Sequence, residues 1–324
     1  MLDEGHHLPW TEEQWASMQG VVQEAARKAR VASSFLPLVG PLPAGQASVP
    51  KLGMKVQTFE SIAGPPHSHA LSGEAWKRLE VDDGETLKLA TISSNVYLTT
   101  QQAEDPDLAS ARQMLSRAAV VIGRLEDAIV FNGQKVRNWG PPRCAPTLDI
   151  YQVQGGDTNP GLLAYPDPNV PATWTWNLTT VDWDPARVGP GSYSGYSENL
   201  VAKIVEAIEA LEALGQYGPF ACVLGDHLYQ AANTPSQGSL VLPSDRILPF
   251  LGGPLLRSSA VEKDEGVVVA LAGSPIDLVV ASDVHASYLQ RSVEPRYILR
   301  VSERFVLRMK QPDAVRRLLA QGKP

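Results

Sequence analysis

A nucleophile needs a base to take its proton and an acid to orient that base, so cysteine, histidine and aspartate standing close together are where chemistry is sought first. Two such groups occur in this 324-residue sequence: Cys222 with Asp226 and His227, and Asp283 with His285 and Ser287. Close spacing is not a catalytic geometry. Cys222 sits in the apolar run Phe220-Ala221-Cys222-Val223-Leu224, where burial raises a thiol pKa, so an inert core cysteine is the expected role. Gly191-Ser192-Tyr193-Ser194-Gly195 has the outline of a nucleophile elbow, but Tyr193 stands where the serine belongs. A stand-alone hydrolase or peroxidase using Cys222 or His227 is therefore the weakest reading.

Other chemistry-bearing residues point no further. His6-His7 and His67-x-His69 lack a carboxylate or cysteine at metal-ligand spacing, so no metal site is expected. Gly155-Gly156 and Gly252-Gly253-Pro254 have neither the lysine of a phosphate loop nor a dinucleotide glycine pattern; they read as turns, and no cofactor is expected. Trp174, Trp176 and Trp183 offer either a stacking platform or a small satellite core, and core packing or a subunit contact is favoured. Cys144 and Cys222 are too few for a disulfide framework.

Composition narrows the partners. A formal charge of −7 gives no global attraction to nucleic acid or to anionic membranes, and neither is expected. The first nine residues are polar and acidic, and no apolar run has the length of a membrane span, so a cytoplasmic protein is expected. Glycine and proline, 26 of each without a repeat, mark a fold rich in turns.

The elements that would position these residues can be read in order. Thr11 caps a helix expected to run to about Ser33, with Gln14 reaching back and Trp10 stapled on Trp15. Its stripe of Trp15, Met18, Val22, Ala25, Ala26 and Ala29 ends in alanines that permit close approach of a partner. Residues 46–102 favour extended structure, read as a long hairpin arm that leans on something else. Asp105-Pro106 reads as the cap of a long helix over residues 105–132, stopped by Gly133. Residues 136–196 hold no sustained period and read as an ordered, loop-rich insertion. A helix from Ser197, a buried strand at 220–224, a polar loop at 233–239 and strands at 266–271 and 276–281 follow. The last strand, 296–310, places Phe305, Leu307 and Met309 on one face; Arg304, Arg308 and Lys310 face solvent or an acidic neighbour on the other.

Several segments, in this order, carry a family resemblance: Leu8-x-x-Thr11-Glu12-x-x-Trp15, Gly40-Pro41-x-x-x-Gly45, Glu126-Asp127-x-Ile129-Val130-Phe131-x-Gly133, Gly218-Pro219-Phe220, and residues 297–314 with the ending Lys310-x-Pro312-Asp313-Ala314. Together they resemble family-one encapsulins, bacterial nanocompartment shell proteins. The resemblance implies an α+β fold, that of the tailed-bacteriophage major capsid protein, with peripheral domain, axial domain and extended loop. Its implied parts are residues 1–45 (N-terminal helix and lead-in), 46–102 (extended loop), 103–161 (spine helix plus insertion), 162–286 (axial domain) and 287–324 (C-terminal peripheral strand).

It further implies a non-enzymatic homo-oligomer closing into an icosahedral shell in the cytoplasm, around a cargo such as a peroxidase or ferritin-like protein held by a short targeting peptide. Cargo-binding candidates under this resemblance are Ala25, Ala26, Ala29, Phe35, Leu36, Leu38, Phe305, Leu307 and Met309. Pore candidates are Asn233, Thr234, Ser236, Gln237 and Ser239, with Asp245 adding a negative ring. One departure is that Ala32-Ser33-Ser34-Phe35-Leu36-Pro37 lacks the charges that the family carries before and after its apolar pair. The alternative is the major capsid protein of a tailed bacteriophage or prophage, which shares the fold.

Overall fold

The computed structural model describes residues 8–43, 45–59, 76–82, 84–133, 144–148, 150–156, 160–163, 178–184, 193–236, 239–292 and 296–322. The chain opens with helix α1 (Glu12–Ala29). Thr11 and Gln14 form the reciprocal cap, and Trp10 packs on Trp15 with ring centroids 5.6 Å apart. The helix stops four residues short of the expected end. Arg30 leaves the helical region because its side chain turns inward, and the next two amides, of Val31 and Ala32, donate to the buried carboxylate of Asp127.

Helix α3 (Ala109–Asn132) is the long amphipathic helix, preceded by the single turn α2 (Thr100–Ala103) that the sequence pattern did not reveal. Asp105 does not cap α3. It accepts from the amides of Asp107 and Leu108 in a turn of its own, and Leu108 enters the helix at a φ of 49°. The alanine half of α1 lies against α3 at Gly123, where a Cβ would stand 3.1 Å from the carbonyl oxygen of Ala26 and 3.2 Å from the Ala29 methyl. The close partner of those alanines is thus within the same chain.

Beneath the two helices lies a five-stranded sheet in the order β1 (Leu38–Val39), β12 (Ile276–Arg291), β13 (Arg296–Met309), β6 (Ala90–Thr99), β7 (Tyr151–Gln154). A second five-stranded sheet runs β10 (Leu255–Arg257), β9 (Phe220–Leu224), β11 (Glu265–Ala270), β14 (Val315–Gln321), β8 (Leu178–Asp182). Helices α4 (Ser197–Ala213), α5 (Asp226–Ala232) and α6 (Pro243–Leu251) accompany it. The arm is built from β2 (Ser48–Pro50) paired with β5 (Thr86–Lys88), and β3 (Gly53–Phe59) paired antiparallel with β4 (Trp76–Asp82).

Four expected boundaries move. Residues 90–99 are not arm but the inner strand β6, because their alternation serves pairing with β13. Residues 276–286 belong to β12 in the first sheet, not with the axial elements. The C-terminal segment crosses over, its last strand β14 pairing with β11 and β8 in the second sheet. The interval read as an insertion contributes β7 to one sheet and β8 to the other, so it is woven into the fold. Within it, Trp183 packs edge-on against Tyr196 at 4.9 Å, a satellite core contact; Trp174 and Trp176 lie outside the described residues.

The cationic face of β13 also departs from expectation. Arg308 donates to both oxygens of Asp277 at 2.8 and 2.7 Å, Lys310 approaches the same carboxylate at 3.1 Å, and Arg304 donates to the carbonyl of Gln46. The acidic partner sought in solvent or in a neighbour is cross-strand within the sheet.

Candidate functional site

The proposed peptide groove separates into two parts. Ala26, Leu36, Phe305, Leu307 and Met309 are buried inside the chain, each at most 5% exposed, and have no surface to offer a ligand. Phe305, Leu307 and Met309 belong to the main core under α3, because the alternation that put them on one face turned that face inward. Ala25, Ala29 and Phe35 are half-buried, and Leu38 is 58% exposed. Leu38 and its exposed neighbour Val39 form β1, the edge of the first sheet, which pairs in parallel with β12. What remains of the candidate groove is an apolar strip from Phe35 to Val39 along an open strand edge. Val39 belongs to it and was not singled out from sequence.

The charge absent from residues 32–37 lies immediately before them. Arg30 contacts Glu126 through Nε, Glu303 through Nη2 at 2.8 Å and Asp283 through Nη1 at 2.9 Å. Glu126 and Glu303 are wholly buried, whereas Asp283 is 64% exposed. Burial works against the Arg30 cation, but Glu126, Glu303 and Asp283 more than offset it and hold it firmly protonated. Burial pushes Glu126 up to about 7 against the pull of Arg30, and raises Glu303 well above the carboxylate range, with the charge of Glu126 adding to it. Asp127 is pushed to about 8 by burial and by Glu126, opposed by the amides of Ala32 and Val31. No local pattern announced this cluster, since its members come from α1, α3, β12 and β13.

The pore candidates surround the loop after α5. The Asn233 amide and the Thr234 hydroxyl donate to the carbonyls of Tyr229 and Gln230, closing the C-terminal end of that helix. Ser236 is buried; Ser239 is half-buried and bonded to Val241. Gln237 lies outside the described residues. Asp245 is exposed in the first turn of α6. Directly after the polar loop of residues 233–239 stand Leu240, fully exposed, and the exposed Val241.

The catalytic constellations do not assemble. Cys222 is wholly buried, and burial drives its thiol pKa up, away from thiolate. Asp226 pairs with Arg257 at 2.7 Å, not with His227. His227 instead meets Asp264 through Nδ1 at 2.7 Å and the Tyr193 hydroxyl through Nε2 at 2.8 Å. The Tyr193 and His227 rings are stacked, 4.0 Å apart and 17° from parallel, so the phenol oxygen lies over the imidazole face and away from its in-plane lone pair. That contact fastens residue 193 to α5 but is poorly aimed for proton transfer. Asp283 is committed to Arg30, His285 Nδ1 lies 2.9 Å from the Asp283 carbonyl, and Ser287 donates to Arg300. Among the described residues no three histidine, cysteine or acidic side chains are grouped for a metal ion.

The comparisons bear on this arrangement. Residues 191–306 match the family model Linocin_M18, described as encapsulating protein for peroxidase. The type 1 encapsulin shell protein EncA of Myxococcus xanthus (strain DK1622) is 26% identical over 318 residues, covering 97% of this chain and 95% of that protein. A virus-like particle from Pyrococcus furiosus superposes with a TM-score of 0.62 at 14% identity, over 95% of this chain and all of that one. The capsid of Myoviridae phage XM1 matches with a TM-score of 0.56 at 14% identity, over 99% and 94%. These likenesses bear out the encapsulin resemblance read from the ordered sequence segments, and the fold it implied. The chain is similar in sequence to a type 1 encapsulin shell protein and has the capsid fold of tailed bacteriophages.

Proposed function

We propose that many copies of this chain assemble into a closed icosahedral shell, a cytoplasmic nanocompartment enclosing a cargo enzyme such as a peroxidase or ferritin-like protein through a short targeting peptide. The observation that carries this reading is the near-complete match, in sequence to a shell protein and in fold to a particle-forming subunit, with neither partner much longer than this chain. A subunit with a dismantled triad and a buried thiol fits a structural role, and any oxidative or iron-handling chemistry falls to the cargo. The strip of Phe35, Leu38 and Val39 is the surface we assign to the targeting peptide, which would add along the β1 edge. Residues Asn233, Thr234, Ser239 and Asp245, with Leu240 at the tip, are the pore-side candidates.

A second reading, a phage major capsid protein, draws support from the phage capsid match. Negative-stain electron microscopy of the protein purified alone decides the first point. Uniform closed particles are the expected result; a small oligomer under the same conditions would overturn self-assembly. Particles forming only with a co-expressed scaffolding protein would favour the phage reading.

A further inference from the structure

Exposed apolar side chains gather around α6. Its inward face, Ile247 and Leu251, is locked in the core, while Leu248 and Phe250 stand out at 43% and 55% exposure. Just before the helix, Leu240 is fully exposed and Val241 is exposed as well. Leu240 is held out by its own turn. The Ser239 hydroxyl accepts from the Val241 amide and donates to the Val241 carbonyl, both at 3.2 Å, and the Ser239 amide donates to Ser236 at 3.1 Å. Apolar area fixed in water is unfavourable, and its concentration in one place marks a contact surface.

Beside this face, α4 and α6 enclose an open trough of about 660 Å³ with Ala202, Val205 and Phe250 on its floor. The tip at Leu240 cannot fill the trough of its own chain. Leu240 precedes α6 and Phe250 is next to its last residue, and the nine-residue helix between them is about 13 Å long. We propose that the Leu240–Val241 tip of one copy docks in the α4–α6 trough of the next, a head-to-tail contact between copies of this chain.

Charge selects this occupant. Along the trough Glu198 pairs with Arg246 and Glu206 with Lys203, each at 2.7 Å, which leaves Glu209 as the one carboxylate over. A nearly balanced rim over an apolar floor suits an uncharged apolar guest, and a cationic or acidic one gains little there. From Asn233 to Leu242 the sequence holds no charged residue, although the chain as a whole carries −7, so the tip enters without like-charge repulsion. Tip and trough are different surfaces, so each copy gives one and receives one, the arrangement that closes into a ring when the rotation allows. The tip also continues the loop of Asn233, Thr234 and Ser239, the pore-side candidates. The contact rests on the assembly reading and makes it specific.

Disulfide trapping tests it on the full-length protein, with Cys144→Ser leaving the wholly buried Cys222 as the remaining native thiol. Under mild oxidation, Leu240→Cys combined with Phe250→Cys is expected to give a ladder of covalent multimers on a denaturing gel. Either substitution alone is expected to stay monomeric. A bridge within one chain is excluded, because α-carbons more than about 7 Å apart cannot be joined. Leu240→Asp reads the same contact without an added thiol. The side chain is fully exposed, so the circular dichroism spectrum should be unchanged while the yield of closed particles falls about tenfold or more. Dimers from either single cysteine variant would show a two-fold contact and overturn the proposal. Closed particles without a ladder, or a wild-type yield from Leu240→Asp, would overturn it and leave the shell reading standing, the trough then belonging to another partner. A ladder without closed particles would keep the contact and overturn the shell; neither ladder nor particles would overturn both.

Discussion

Replacing Asp277 by asparagine tests what holds the buried cation Arg308 of β13. Asp277 stands directly across from Arg308 in the sheet register and takes both of its guanidinium bonds, at 2.8 and 2.7 Å, while Lys310 approaches at 3.1 Å. The carboxylate is 3% exposed, the guanidinium 11% and the ammonium 18%. The amide side chain would have nearly the same shape and no charge, leaving the guanidinium one acceptor and no counter-ion. Breaking a buried ion pair on one side costs about 3–5 kcal/mol. Lys310 has a long stem and some solvent access, so its share is small, and the lower end of that range is expected. The measurement is the unfolding free energy in guanidinium chloride at neutral pH. Pairing Asp277→Leu with Arg308→Met removes both charges while keeping side-chain volume, and should recover most of the loss, since a buried pair replaced by apolar residues is often neutral. A single-variant loss under about 1 kcal/mol, the scale of an exposed pair, would refute the claim that this pair is sealed in the sheet.

Three further outcomes follow from the geometry. Glu126 is raised in the folded state from 4.5 to about 7, so its contribution to stability is fully present below about pH 4.5 and lost as pH rises through 7. The loss amounts to about 3 kcal/mol, and urea unfolding on either side of that window should show a weaker pH dependence in Glu126→Gln than in the wild type. Phe305→Ala should cost about 3–5 kcal/mol because the ring is fully buried; a nearly unchanged melting curve would return Phe305 to the peptide groove. Gly225→Ala should prevent stable folding or sharply lower the melting temperature, because a Cβ there would overlap the carbonyl oxygen of Glu262.

How far the sequence discloses this molecule depends on the range of the interaction involved. Local rules sufficed where partners are neighbours in the chain: the Thr11 and Gln14 cap, the Trp10 and Trp15 staple, and the buried strand Phe220–Leu224 lie where the pattern puts them. The same rules misjudge an end when a distant group intervenes. Helix α1 stops at Ala29 because Asp127, 95 positions from Ala32, takes the amides that would have continued it. Alternation correctly divided the faces of β13, but it does not say which face meets solvent. Phe305, Leu307 and Met309 went into the main core instead of to a groove, and Arg308 on the opposite face is buried too, paired with Asp277 across the strands. The Arg30 cluster and the pairing of His227 with Asp264 were illegible for the same reason: each joins residues whose proximity only the fold creates.

The arm shows how an incomplete subunit argues for assembly. Its root is secured, since Val49 of β2 is buried with Val279 of β12 and Val306 of β13. Among the described residues its outer strands β3 and β4 pair with each other and are in neither five-stranded sheet. An isolated two-stranded hairpin is marginally stable at best in water, because it has too little apolar face to offset its ordering entropy. The two sheets need no such help. They are joined where the amides of Lys310 and Gln311 both reach the carbonyl of Pro275, just before the chain passes from β13 to β14. A two-sheet body with a rooted, self-paired arm fits the proposed assembly. In the proposed shell a neighbouring copy would pack against the arm, which would then add to the interface between subunits.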